Sequence, residues 1–244
     1  PLLVLAFEGW NDAAEAATGV IGHLIEVFGA TRFGELDPED YYDFQVNRPI
    51  ISVGDRGVRE ITWPATSAYA TSISGGPDLV VVRGIEPSMR WRSFISEIIG
   101  LAFELDVERV ITVGSLLADT PHTRPVPVTS VASDPAIAER LGVELTRYEG
   151  PTGIVGALTE GFTRAGIEPI AFFARHPCGG AASCATAWPI VYALDAAFCI
   201  AFCASGVLRS TFCLACAFDA AVASFCAFAV ASTPPELLGL TILV

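Results

Sequence analysis

The chain has 244 residues, 14 basic against 27 acidic side chains and a formal charge of −13, with 52% hydrophobic residues. Length and apolar content suit one globular domain with a sizeable core. The acidity repels phosphate backbones and anionic lipid, and no basic run offsets it, so neither nucleic acid nor a membrane surface is an expected partner. Every basic side chain is arginine, and lysine is absent.

Residues 2–7 form an uninterrupted apolar run, the pattern of a strand covered on both faces. Asn11 or Asp12 can cap the following helix, in which Ala13, Ala16, Ala17, Val20, Ile21 and Leu24 recur at helical spacing until Gly29. Residues 50–53 and 58–63 flank a Gly54-Asp55-Arg56-Gly57 turn and predict a hairpin. A second buried strand is predicted over 79–82, a helix over 90–105 with Phe94, Ile98, Leu101 and Leu105 on one side, and a third strand over 110–113. Further strands are predicted at 126–131 and 170–174, and helices at 134–141 and 153–165. Strands alternating with helices imply an α/β fold, a three-layer α/β/α sandwich around a mainly parallel or mixed sheet.

Composition changes at about residue 177. Residues 1–177 read as the core domain; without a single cysteine they hold no disulfide framework, and a cytoplasmic location is expected. Residues 178–244 hold all seven cysteines but only Asp195, Arg209, Asp219 and Glu236 among charged side chains. Three explanations compete for this helix-prone tract. A shifted frame or uncertain assignment is preferred to an apolar packing segment, and both to a membrane hairpin, whose two spans would have to accept Pro189, Asp195 and Asp219. Cys213-Leu214-Ala215-Cys216 lacks the second pair or nearby histidine of a zinc site. No metal and no cofactor is expected.

In an open α/β sheet, ligands gather where strand carboxyl ends feed their loops. The candidate ligand-binding residues at those points are Glu8 and Asp12 after the first strand, Glu86 and Arg90 after the second, Arg124 after the third, and Glu149 and Thr152 before the last helix. Asp119 and His122 are the candidate catalytic pair, on a stretch stiffened by Pro121, Pro125 and Pro127. An Asp three residues before a His can orient it as an acid or base, and Arg124 can clamp a carboxylate or phosphate. The structural alternative has Asp119 closing a turn, His122 in a satisfied hydrogen bond and Arg124 paired with Glu86 or Glu149. The Gly150–Gly153 stretch offers free backbone N–H groups to an anion, although such a helix entry is commonly structural.

Five ordered blocks resemble the proteasome assembly chaperone 2 family, in particular its bacterial branch. They are Phe7-Glu8-Gly9-Trp10-Asn11-Asp12-Ala13, the 41–49 segment beginning Tyr41-Tyr42-Asp43, Glu86-Pro87 with Arg90-Trp91-Arg92, the 116–128 segment around Asp119-Thr120-Pro121-His122, and Tyr148-Glu149-Gly150-Pro151-Thr152-Gly153. The resemblance spans residues 2–176. It implies a fold like that of nucleoside phosphorylases and related hydrolases, self-association as a homotrimer, and an assembly-chaperone-like, protein-binding role with proteasome subunits as partners and no established catalysis. The rival expectation is a small-molecule hydrolase or transferase with a nucleoside- or phosphate-type ligand. Proteasome-binding relatives can dock through a terminal hydrophobic-Tyr-any tail, where this chain reads Ile242-Leu243-Val244.

Overall fold

The computed structural model describes residues 1–54, 57–74, 76–119, 127–132, 139, 144–145 and 148–177. Among these residues, an eight-stranded sheet runs in the order β2 (Thr31–Leu36), β5 (Thr66–Thr71), β6 (Leu79–Ile85), β1 (Leu2–Glu8), β7 (Arg109–Ala118), β10 (Pro169–Pro177), β8 (Val128–Ala132) and β9 (Glu144–Leu145). The four central strands, β6, β1, β7 and β10, are mutually parallel; β5 joins β6 and β8 joins β10 antiparallel, so the sheet is mixed. The central strands are the continuous apolar runs of the sequence, as burial on both faces requires.

Helix α1 (Ala16–Phe28) covers one face, where Val20, Ile21 and Leu24 pack on Leu2, Val4 and Val81. Helices α3 (Trp91–Glu104) and α4 (Ile154–Ala165) cover the other, with Phe94, Ile98, Leu158 and Phe162 against Leu3, Leu5 and Val82. The arrangement is the three-layer sandwich that alternation predicted. Phe94 is fully buried and meets Phe7 and Tyr41 edge-on at 5.6 and 5.2 Å between ring centroids. Burying each such ring stabilises the fold by roughly 1.5–3 kcal/mol.

Differences from the sequence reading lie at the sheet's margins. β2 and β5 were not expected: β2 is an exposed edge strand whose Arg32–Glu35 ion pair and bulge at Arg32/Gly34 replace the apolar pattern of a buried strand. The four-residue α2 (Pro38–Tyr41) is too short for a periodicity, and is set by Pro38 and by the Asp37 carboxylate, which accepts the Glu39 N–H at 3.0 Å. β3 (Ile50–Val53) and β4 (Arg59–Thr62) form the expected hairpin as a separate two-stranded sheet. The helix expected at 134–141, apart from residue 139, and the whole 178–244 tract lie outside the described residues. Among the described residues no helix is long and apolar enough to cross a membrane.

Candidate functional site

β1 and β6 are neighbours, yet the chain leaves β1 toward the α1 face and β6 toward the α3 face. That divergence is the topological switch point of an open sheet, where loop backbones and side chains are left accessible. The loop after β1 crosses to β7, where the Ser115 N–H donates to the Asn11 carbonyl at 2.7 Å. It also reaches the start of α4, since a Cβ on Gly153 would overlap Asn11 Oδ1 and lie 2.9 Å from Glu86 Oε1. Residues far apart in sequence thus meet at one rim.

Most of the candidate ligand residues have structural partners there. Asp12 is 8% exposed, and its carboxylate accepts the Ala17 N–H at 2.8 Å, the Thr18 N–H at 3.3 Å and the Thr18 hydroxyl at 2.5 Å. It caps α1 from inside the fold, and burial pushes its carboxyl above the usual aspartate value although those three bonds act in the opposite sense. Glu86 Oε1 accepts the Ile154 N–H at 2.7 Å, so the start of α4 already holds a carboxylate. An exogenous anion at this helix entry would meet that carboxylate and the buried Asn11 Oδ1, which has no hydrogen-bond partner among the described residues. The point is acceptor-rich and fits a donor.

Glu8 pairs with Arg83 at 3.4 Å, and Arg90 pairs with Asp40 while lying 5.8 Å from the Tyr41 ring centroid. The Tyr41 hydroxyl donates to Glu97, and burial raises its pKa far above the free phenol's. Glu149 and Thr152 are exposed, and Thr152 donates to the Gly153 carbonyl at 3.4 Å. Asp119 is exposed at the end of β7, whereas His122 and Arg124 lie outside the described residues. Ser115 is fully buried and donates to the Ala13 carbonyl at 3.0 Å. Among the described residues no group of three His, Cys, Asp or Glu side chains could hold a metal.

Glu86 therefore acts on the fold. Glu86→Ala removes a side-chain acceptor of the first N–H of α4, and a loss of about 1 kcal/mol in unfolding free energy is expected, with Glu86→Gln losing less. Urea denaturation of the two variants measures this directly.

What the sequence reading missed is a groove of about 430 Å³ beside the switch point, lined among others by Glu8, Arg48, Ile50, Trp63, Ser67 and Arg83. Arg48 stood in a family block and Trp63 in the hairpin, but nothing local in the sequence places either beside Glu8.

A PAC2 family profile matches residues 6–185. The chain belongs to the PAC2 family. Solved structures agree: it is similar to a PAC2 family protein of Streptomyces avermitilis, at 48% identity over 80% of this chain and 86% of that one with a TM-score of 0.69. It is also similar to a proteasome-assembly chaperone homologue of Mycobacterium tuberculosis, at 37% identity over 97% and 96% of the two chains and a TM-score of 0.69. PbaB of Pyrococcus furiosus, an archaeal proteasome activator, shares the fold at 15% identity and a TM-score of 0.62, over 96% of this chain and 93% of its own. A search of curated proteins returns no match. Among PAC2 proteins a small-molecule hydrolase or transferase is not the favoured reading, and in this one Asp12 and Glu86 are engaged in capping helices.

Proposed function

We propose that this PAC2 protein is a cytoplasmic, assembly-chaperone-like homo-oligomer, a homotrimer, that binds proteasome subunits, without established catalysis. The observation that carries this reading is the combination of family with surface chemistry. Side chains at the strand ends are tied into helix caps and ion pairs, while large apolar groups such as Trp10, Ile51, Val53, Leu117 and Tyr148 are half or more exposed. Large apolar groups left exposed are available for protein contacts. The likeness to a proteasome-assembly chaperone homologue supplies the partner class.

The test is assembly kinetics. Native mass spectrometry of bacterial proteasome α subunits mixed with this protein is expected to show a complex, and its presence should speed formation of α rings. No complex and an unchanged assembly rate would defeat the reading.

A further inference from the structure

The groove beside the switch point is floored by the sheet itself. Side chains alternate along a strand, and Leu2, Val4 and Ala6 of β1 and Leu79 and Val81 of β6 belong to the core under α1. The same alternation puts Glu8, Arg83 and, on β5, Ser67 and Tyr69 on that face. Register makes them neighbours. Ser67 lies opposite Arg83, Tyr69 opposite Val81, and Glu8 two residues beyond Ala6, which also pairs with Arg83. The apolar stripe of the core therefore ends at the strand tips in a guanidinium, a carboxylate and a hydroxyl, none of which packing under the helix requires. Arg48 and Trp63 line the groove from the segments that enter and leave the β3–β4 hairpin, and Trp63 rests on Phe44 at 5.0 Å between ring centroids while staying 50% exposed.

Charge in the groove opposes the charge of the chain. The molecule carries −13, yet the described residues lining the groove hold Arg48 and Arg83 against one carboxylate, Glu8. That carboxylate meets Arg83 through a single contact at 3.4 Å between side chains 43% and 44% exposed, too long and too wet to occupy the guanidinium fork. Arg48 has no ion-pair partner among the described residues. A guanidinium carries five N–H donors in one plane, matched to the paired oxygens of a carboxylate or phosphate.

We propose that this groove binds a small organic anion, an aromatic ring bearing a carboxylate or phosphate, with Arg48 and Arg83 holding the anionic group and Trp63 covering the ring. Three features select that class. A volume of about 430 Å³ is at the small end of ligand pockets and suits one ring system with its head group. The field of a −13 protein repels a polyanion at a distance, whereas a small anion is held at contact range by two guanidinium groups. Trp63, Tyr69 and Ile50 supply apolar surface that an inorganic ion would leave uncovered. Ligand capture here is separate from the binding of proteasome subunits and involves no reaction.

Calorimetric titration of the full chain with naphthoate, naphthyl phosphate, neutral naphthamide and inorganic phosphate tests the proposal. One or both naphthyl anions are expected to bind, with naphthamide and inorganic phosphate weaker by about tenfold or more. The tighter anion identifies the head group. Arg48→Ala and Arg83→Ala should each weaken that anion by about tenfold and Trp63→Ala by about fivefold. Arg92→Ala, at an exposed position of α3 across the sheet, should leave its affinity unchanged. Thermal melting checks that each variant is folded, and the exposed Arg48 decides the head-group contact should Arg83→Ala unfold. No heat from either naphthyl anion at millimolar concentration would overturn the site. Naphthamide binding as tightly as the anions, inorganic phosphate binding as tightly as naphthyl phosphate, or an affinity unmoved by Arg48→Ala would each defeat the proposal, by removing the charge, the ring or the location.

Discussion

Replacing Asp12 by alanine is expected to lower the unfolding free energy by about 3 kcal/mol, whereas Asp12→Asn should change it little at neutral pH. Alanine deletes the acceptor for two backbone N–H groups of α1 and for the hydroxyl of Thr18, which is 1% exposed, and leaves buried donors without their partner. Asparagine keeps an acceptor oxygen for Ala17 and Thr18 and removes a charge that burial disfavours. The pH dependence separates the two effects. Burial raises the folded carboxyl's pKa above the ordinary 3.8, so between that value and the raised one the folded state keeps a proton that the unfolded chain has lost. Stability from this group is complete below the unfolded pKa, falls as pH rises through the window and levels off above it. Wild type should therefore gain on Asp12→Asn as pH is lowered toward 4. Urea midpoints of wild type and both variants across that range check the prediction, and a wild-type-to-asparagine difference independent of pH would refute it.

The same residue shows how far the sequence reaches. The 2–7, 79–82, 110–113 and 170–174 strands were legible because parallel strands buried on both faces must be apolar at successive positions, and a run of aliphatics has few other uses. Asp12 was legible both as a helix cap and as a ligand, and local sequence cannot choose between them. The choice depends on β7, whose Ser115 hydroxyl lies 3.5 Å from the Asp12 carboxylate across 103 positions of chain. Glu86 had the same ambiguity, resolved only when Gly153 brings the start of α4 against it. The hairpin was legible from its Gly-Asp-Arg-Gly turn, but its orientation was not. Ile50 and Ile51 point to opposite faces, so both sides contain an apolar residue and alternation gives no direction. β5 escaped because Thr66, Ser67, Ala68 and Ala70 are small; its burial comes from close approach to β6 rather than from bulky apolar side chains.

That close approach sets the other large expectation: Gly84→Ala should lower the unfolding free energy by about 3 kcal/mol and disturb the groove as well. A Cβ on Gly84 would lie 2.8 Å from Thr66 Cβ and 3.0 Å from its Cα, so backbone must move and no rotamer change relieves the contact. Overpacking of this kind typically costs 1–3 kcal/mol, and here it also threatens a buried polar cluster. The Tyr42 hydroxyl sits 2.5 Å from Thr66 Oγ1 and donates to the Ile85 carbonyl at 3.0 Å; displacing β5 breaks one or both bonds in a site where Tyr42 is 3% exposed. Burial already raises the Tyr42 pKa, so ionisation provides no escape. Thr66 follows the hairpin by four residues, and Ala65 and Ser67 line the groove with Gly84 itself. The pairing of β5 with β6 is therefore what builds one wall of the groove. Gly84→Ala should lower stability, whereas Ile51→Asp, at a position 60% exposed, should leave it within about 0.5 kcal/mol of wild type. Paired urea denaturation of the two variants distinguishes these outcomes. A Gly84→Ala protein as stable as wild type would show that β5 yields to a methyl group without cost.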